Sequence, residues 1–209
     1  MKYDFEAIKN KLKLYQNEKR YLHTIGVSEE ARELAKIFLP QKEEKLFLAG
    51  LLHDITKELS KDEQVKLCDK YGIDVPKNIA PKLLHAKTGA SFALELFGSE
   101  IVDNEVYSSI YFHTTGKENM SLFEMIIYLA DYIEKGRTFE DCIVLRKYFY
   151  KNIEKALDYN EKLEVLRKTM VYSFDLTIKN LISEGKRIDS DTVNARNYFL
   201  NCKFIQKEI

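Results

Sequence analysis

Two stretches of this chain are apolar around most of a helix's circumference, and each carries a carboxylate. The first, residues 43–55, runs into "LAGLLHDITK" (48–57) and ends at His53 and Asp54; the second, "LFEMIIYLADYIE" (122–134), holds Asp131. Helices of this kind belong in the middle of a fold. An unpaired carboxylate there costs on the order of several kcal/mol. Whatever the chain folds into must therefore bring compensating charge to Asp54 and Asp131.

The rest of the sequence surrounds those two segments with helices. Residues 4–15 place Phe5, Ile8, Leu12 and Tyr15 on one stripe. Ser28 is expected to cap a helix through Phe38, with Glu29 and Glu30 in its first turn. Ser60 and Glu63 form a capping box for a helix ending near Gly72, and Ser121 and Glu124 form a second box before the Asp131 segment. "GIDVPKNIAPKLLH" is a connection with two prolines. Helices are further expected over 85–97 (stopped by Gly98), 100–113, 138–157, 160–184 (stopped by Gly185) and 190–205. With 8 Gly and 3 Pro in 209 residues, and 45% hydrophobic residues, the composition supports one sizeable helical core. The expected fold class is all-α, a single domain over 1–209.

Charge and cysteine content narrow the function classes. Thirty-three basic residues balance 33 acidic ones, so there is no excess that would mark a nucleic-acid-binding protein. Cys68, Cys142 and Cys202 are odd in number and far apart, which fits neither a disulfide framework nor a zinc motif. A reducing, cytoplasmic setting is the natural expectation. The N-terminal segment lacks the apolar core of a signal peptide, and no apolar run is long enough to span a bilayer, so no membrane partner is expected. An apolar stripe on 138–157 offers a surface for a homodimer.

The chain has four histidines, His23, His53, His85 and His113, each about thirty residues from the next. A divalent metal would neutralise both acids while imidazoles fill its remaining positions; this donor set suits iron, manganese or zinc without a thiolate. His53 and Asp54 lie roughly 100° apart around a helix and can still face one point. The spacing matches no local metal motif such as H-E-x-x-H. An aspartate in a helix can instead pair with Lys or Arg, and a histidine beside an apolar face is often a core or surface residue. On spacing alone both readings stay open.

His23, the His53–Asp54 doublet and Asp131, in that order, look like the H…HD…D signature of the HD superfamily of metal-dependent phosphohydrolases. With "LAGLLHDITK", "HAKTGA", "YFHTTG", "IIYLADYIEKGR" and "DTVNARNYFL", the chain resembles the YqeK family from about residue 18 to residue 200. That family comprises HD-domain hydrolases that cleave diadenosine tetraphosphate symmetrically into two ADP. The resemblance implies an all-α helical bundle with an HD core over about 18–135, completed by the C-terminal helices. It implies one bound iron, favoured over two metals, with His23, His53, Asp54 and Asp131 as ligands, and with His23 and Asp131 also bordering the substrate. Asp54 would orient the attacking water. His85 and His113 would face the phosphates, one of them a candidate general acid, or would hold a second metal. Lys57, one turn beyond His53, and Arg137 would bind phosphate, and Arg20 has the position of a nucleotide contact. Tyr172 or Phe174 is a candidate for stacking on adenine. "EKGR" stands where the family commonly has a proline before the glycine. Two alternatives remain beside a dinucleotide hydrolase that releases ADP: a nucleotidase acting on mononucleotides, and a non-catalytic metal or nucleotide sensor.

Overall fold

The computed structural model of the chain describes residues 3–75 and 80–202. The described residues form ten α-helices and no strand, so the all-α expectation holds. They group into two compact units, one of residues 3–75, 80–114 and 121–136, the other of 115–120 and 137–202. Among the described residues no helix is long and apolar enough to cross a membrane.

The first unit holds α1 (Phe5–Leu12), α2 (Glu18–Phe38), α3 (Glu43–Leu52), α4 (Lys61–Tyr71), α5 (Leu84–Phe97), α6 (Asn104–Phe112) and α7 (Leu122–Ile133). α3 is its centre: Leu46 to Leu52 are all buried, and the helix touches α1, α2, α5, α6 and α7. α7, buried from Phe123 to Ala130, packs on α2, α3 and α6. Both capping boxes form, with Ser60 and Glu63 opening α4 and Ser121 and Glu124 opening α7. Gly72 closes α4 in the left-handed conformation, at φ 63°, that only glycine adopts without cost.

Two expectations are corrected here. Ser28 does not begin a helix. Asn17 does, its side chain accepting from the Arg20 N–H at 2.9 Å, and α2 runs unbroken through Gly26 and Ser28. Ser28 Oγ instead donates to the Thr24 carbonyl at 2.7 Å, the back-bond of a serine inside a helix. The 100–113 helix begins only at Asn104, because Asp103 takes the cap and accepts from the Glu105 and Val106 N–H groups. Residues 76–79 of the proline-containing connection, and 203–205 of the last expected helix, lie outside the described residues.

The second unit holds α8 (Glu140–Ile153), α9 (Tyr159–Ser183) and α10 (Ser190–Asn201). Phe174 and Phe199 stack at 6.2 Å between α9 and α10, and both are fully buried. Phe174 is thus core, and the adenine-stacking role considered for it is withdrawn. Tyr172 sits edge-on to Tyr148 at 5.2 Å. On the 138–157 stripe, Phe139, Val144 and Leu157 are exposed.

α2 and α3 cross closely at Gly50. A Cβ added at Gly50 would lie 2.7 Å from Ser28 Cα, a backbone atom that cannot rotate away. Gly50→Ala should therefore destabilise the protein by roughly 1–3 kcal/mol, the usual penalty of overpacking a close-packed contact. Urea denaturation measures this, and a midpoint equal to the parent's would refute the close crossing.

Candidate active site

Of the nine residues expected to bind metal or phosphate or to border the substrate, eight meet in the first unit. His23 comes from α2 and Arg20 from its first turn. His53 is the C-cap of α3, and Asp54 and Lys57 follow in the turn after it. His85 stands in the first turn of α5, His113 caps the C-terminus of α6, and Asp131 comes from the last turn of α7. Arg137 belongs to the second unit, where its carbonyl accepts from Arg146 Nη2 at 2.8 Å. The helix expected over 43–55 stops at Leu52, so Lys57 reaches the site by a turn, its N–H donating to the Asp54 carbonyl, rather than along a helix face.

Asp54 is the hub. Its Oδ2 accepts from Arg20 Nη1 at 2.7 Å and lies 3.4 Å from His53 Nε2 and 3.7 Å from His23 Nε2. Its Oδ1 lies 3.1 Å from His85 Nε2, 3.4 Å from His113 Nε2 and 3.9 Å from Lys57 Nζ. Asp131 Oδ1 adds contacts of 3.0 Å to His23 Nε2 and 3.7 Å to His53 Nε2. Burial alone would push the Asp54 carboxyl up. Protons on the Nε2 atoms of His53, His113 and His85 would hold it well below the usual carboxylate range; where those nitrogens present lone pairs instead, compensation falls to Arg20 and to a bound cation.

Backbone carbonyls orient three of the imidazoles. Nδ1 of His53, His85 and His113 meets the carbonyl three residues earlier, of Gly50, Lys82 and Ile110, at 2.7, 2.6 and 2.7 Å. A carbonyl only accepts, so each Nδ1 carries the proton and each Nε2 presents a lone pair to the centre. Burial lowers the His53 pKa and takes that of His85 to about 4, which keeps both neutral near pH 7. Asp54 Oδ1 therefore faces lone pairs, and His53 Nε2, fully buried, makes no hydrogen bond among the described residues. A ring of acceptors with an orphaned buried nitrogen is what a cation requires.

The description "HD domain" matches residues 20–136. The chain belongs to the HD-domain family. Among its relatives is the symmetrical bis(5'-nucleosyl)-tetraphosphatase of Halalkalibacterium halodurans, 35% identical over 90% of this chain and 93% of that one. The enzyme of the same name from Bacillus subtilis is 32% identical over 88% of this chain and 91% of its own. A crystal structure described as a predicted HD superfamily hydrolase involved in NAD metabolism, from Clostridium acetobutylicum, superposes with a TM-score of 0.81. It is 36% identical and covers 96% of this chain and 98% of its own.

The HD domain implies a divalent metal, and the residues present fit one. His23, His53 and Asp131 form one group with ligand atoms within 4.8 Å of one another; His53, Asp54 and His113 form another. Mixed imidazole and carboxylate donors without a thiolate suit a hard or borderline divalent ion.

Several residues that build the HD site escaped the sequence reading. Gln16 Nε2 bridges Thr24 Oγ1 at 3.1 Å and the Asp54 carbonyl at 3.3 Å. Thr56 Oγ1 donates to the His85 carbonyl at 3.0 Å and meets Thr88 Oγ1 at 3.0 Å. Gln64 closes this network by donating to the Thr56 carbonyl. Glu134 lies against His23. The signals available were slight: Gln64 and Thr88 are ordinary polar residues on helices, and Glu134 stands three residues after Asp131.

The neutral histidines set a pH dependence. In the folded protein His53 and His85 titrate below the ordinary 6.5, with His85 at about 4, whereas in the unfolded chain they titrate normally. The unfolded state thus binds more protons in this window, and stability of metal-free protein falls as pH drops from 6.5 towards 4. Thermal melts of chelator-treated protein should show a lower Tm near pH ~4.5 than near pH ~7. An unchanged or higher Tm at the acid end would contradict the buried neutral imidazoles.

Proposed function

We propose that the chain works as a single HD-type phosphohydrolase that cleaves diadenosine tetraphosphate symmetrically into two ADP. The observation that carries this reading is the convergence on Asp54 of every histidine in the chain, in a sequence aligned over nine-tenths of its length with symmetrical tetraphosphatases. His23, His53, Asp54 and Asp131 hold the ion, which we assign as iron following the family resemblance. The bound cation supplies Lewis acidity that makes water nucleophilic near neutral pH and offsets phosphoryl charge.

The protein's own groups do the rest. Asp54, ionised and anchored by Arg20, orients the attacking water toward one of the two central phosphorus atoms. The bond from that phosphorus to the central bridging oxygen breaks, and ADP leaves on each side. Lys57, whose Nζ lies 2.9 Å from His85 Nε2, supplies positive charge to the phosphate chain. His85 and His113 meet the phosphate chain. Arg20, a quarter exposed at the rim, is available to a terminal nucleotide, and Arg137 is assigned to phosphate on its motif. With all three cysteines free, we assign the reaction to the cytoplasm.

A second reading of the metal content has its own observation. Nε2 of His85 and His113 lie 3.1 Å apart with both Nδ1 protons committed to carbonyls, and Asp54 Oδ1 closes the triangle. His85, His113 and Asp54 would be the residues to hold a second ion. Elemental analysis of anaerobically purified protein separates one ion per chain from two.

Incubation with diadenosine tetraphosphate, followed by ion exchange, should yield ADP as the only product. AMP with ATP, hydrolysis of mononucleotides alone, or no turnover would overturn the proposal. Asp54→Ala should lower turnover by at least about a hundredfold with the helical signature retained. A variant as active as the parent would return the protein to the sensor reading.

A further inference from the structure

His23 differs from the other three histidines in what holds its far nitrogen. Its Nδ1 meets the Glu134 carboxylate, 3.1 Å from Oε1. Glu134 is the C-cap of α7 and is buried, at 3% exposure. The other carboxylate oxygen, Oε2, accepts from the Gly136 N–H at 2.5 Å, which fixes the direction of the side chain. On the opposite side of the ring, Asp131 Oδ1 stands 3.0 Å from Nε2. One helix end thus grips the imidazole by both nitrogens, with acids three residues apart.

The sequence of α2 makes room for this. A Cβ added at Gly26 would fall 2.5 Å from Glu134 Oε2 and 3.2 Å from its Cδ. Gly26 lies three residues after His23, hence on the same helix face. The glycine is needed because the carboxylate fills the space a side chain would take, not for backbone freedom: the residue is in mid-helix.

We propose that Glu134 is a positioning residue for the metal centre: it holds the proton on His23 Nδ1, aims Nε2 at the ion, and through its charge makes the imidazole a stronger donor. Gly26 is the cavity that admits it. A carboxylate behind a ligating histidine raises ligand basicity and fixes the tautomer, and losing such a partner weakens metal binding by about ten- to a hundredfold. Charge matters here beyond geometry. The other three imidazoles rest on neutral carbonyls, so His23 is the ligand whose donor strength an acid tunes. The inference rests on the metal-site reading above and deepens it.

The test uses full-length, chelator-treated protein titrated with Mn²⁺ and followed by electron paramagnetic resonance, with thermal melting of the metal-free form beside it. Glu134→Gln, isosteric and still able to accept from Nδ1–H, should weaken Mn²⁺ binding by about tenfold, and Glu134→Ala by more, towards a hundredfold. The metal-free Tm of Glu134→Gln should stay near the parent's. Gly26→Ala should weaken binding as Glu134→Ala does, because its Cβ displaces the carboxylate. Adding it to Glu134→Ala should cost nothing further, since the atom it strikes is gone. Parental Mn²⁺ affinity in Glu134→Gln, or fully additive losses in the double variant, would overturn the proposal. Asp54→Ala keeps the two readings apart. If it binds Mn²⁺ as the parent does, the metal site itself is misassigned. If it loses Mn²⁺ while Glu134→Gln does not, only the role of Glu134 falls.

Discussion

A single buried carboxylate organises the first unit. Asp54 is 2% exposed, and an ionised group in that position is tolerable only when surrounding charge and donors replace the water it has lost. Its two oxygens face different company. Oδ2 looks toward Arg20, His53 and His23, while Oδ1 looks toward His85, His113 and Lys57. Those partners arrive from α2, the ends of α3 and α6, and the start of α5, so satisfying one acid fixes the relative positions of four helices. The same convergence that compensates the charge builds the chemistry.

Precision comes from two inexpensive devices. The first is close packing: Gly50 lets α3 approach the Ser28 backbone of α2, and Gly89 lets α5 approach the turn at His53, where a Cβ would stand 3.3 Å from Thr56 Oγ1. The second is local. His53 and His113 each sit where a helix ends, and each spends its Nδ1 proton on a carbonyl of the last turn. Helix termination, tautomer and ring direction are set by one hydrogen bond. These rings need no distant partner to face inward.

What the sequence conveyed follows from the range of the interaction involved. The boxes at Ser60–Glu63 and Ser121–Glu124 and the stop at Gly72 depend on neighbours three or four residues away, and they form as read. Asp54 and Asp131 stood out because polar groups on apolar helices are conspicuous whatever they contact. Ser28 misled because a serine inside a helix and one at its start look alike until Gly50 packs over it. Glu134 was invisible for the opposite reason: an acid at a helix end, followed by lysine, reads as solvated surface. Only the fold, bringing residue 134 against residue 23, reveals it as buried. Lys57 reaches the site through the turn after α3, not along the helix face that its spacing from His53 implies.

The central claim is that a cation belongs between His23, His53, Asp54 and Asp131. Anomalous diffraction from crystals of the metal-loaded protein, collected on both sides of the metal's absorption edge, tests it most directly. The account predicts a peak bounded by Nε2 of His23 and His53, Oδ2 of Asp54 and Oδ1 of Asp131. A peak coordinated by other side chains, or none there while the four side chains keep their present arrangement, would contradict it.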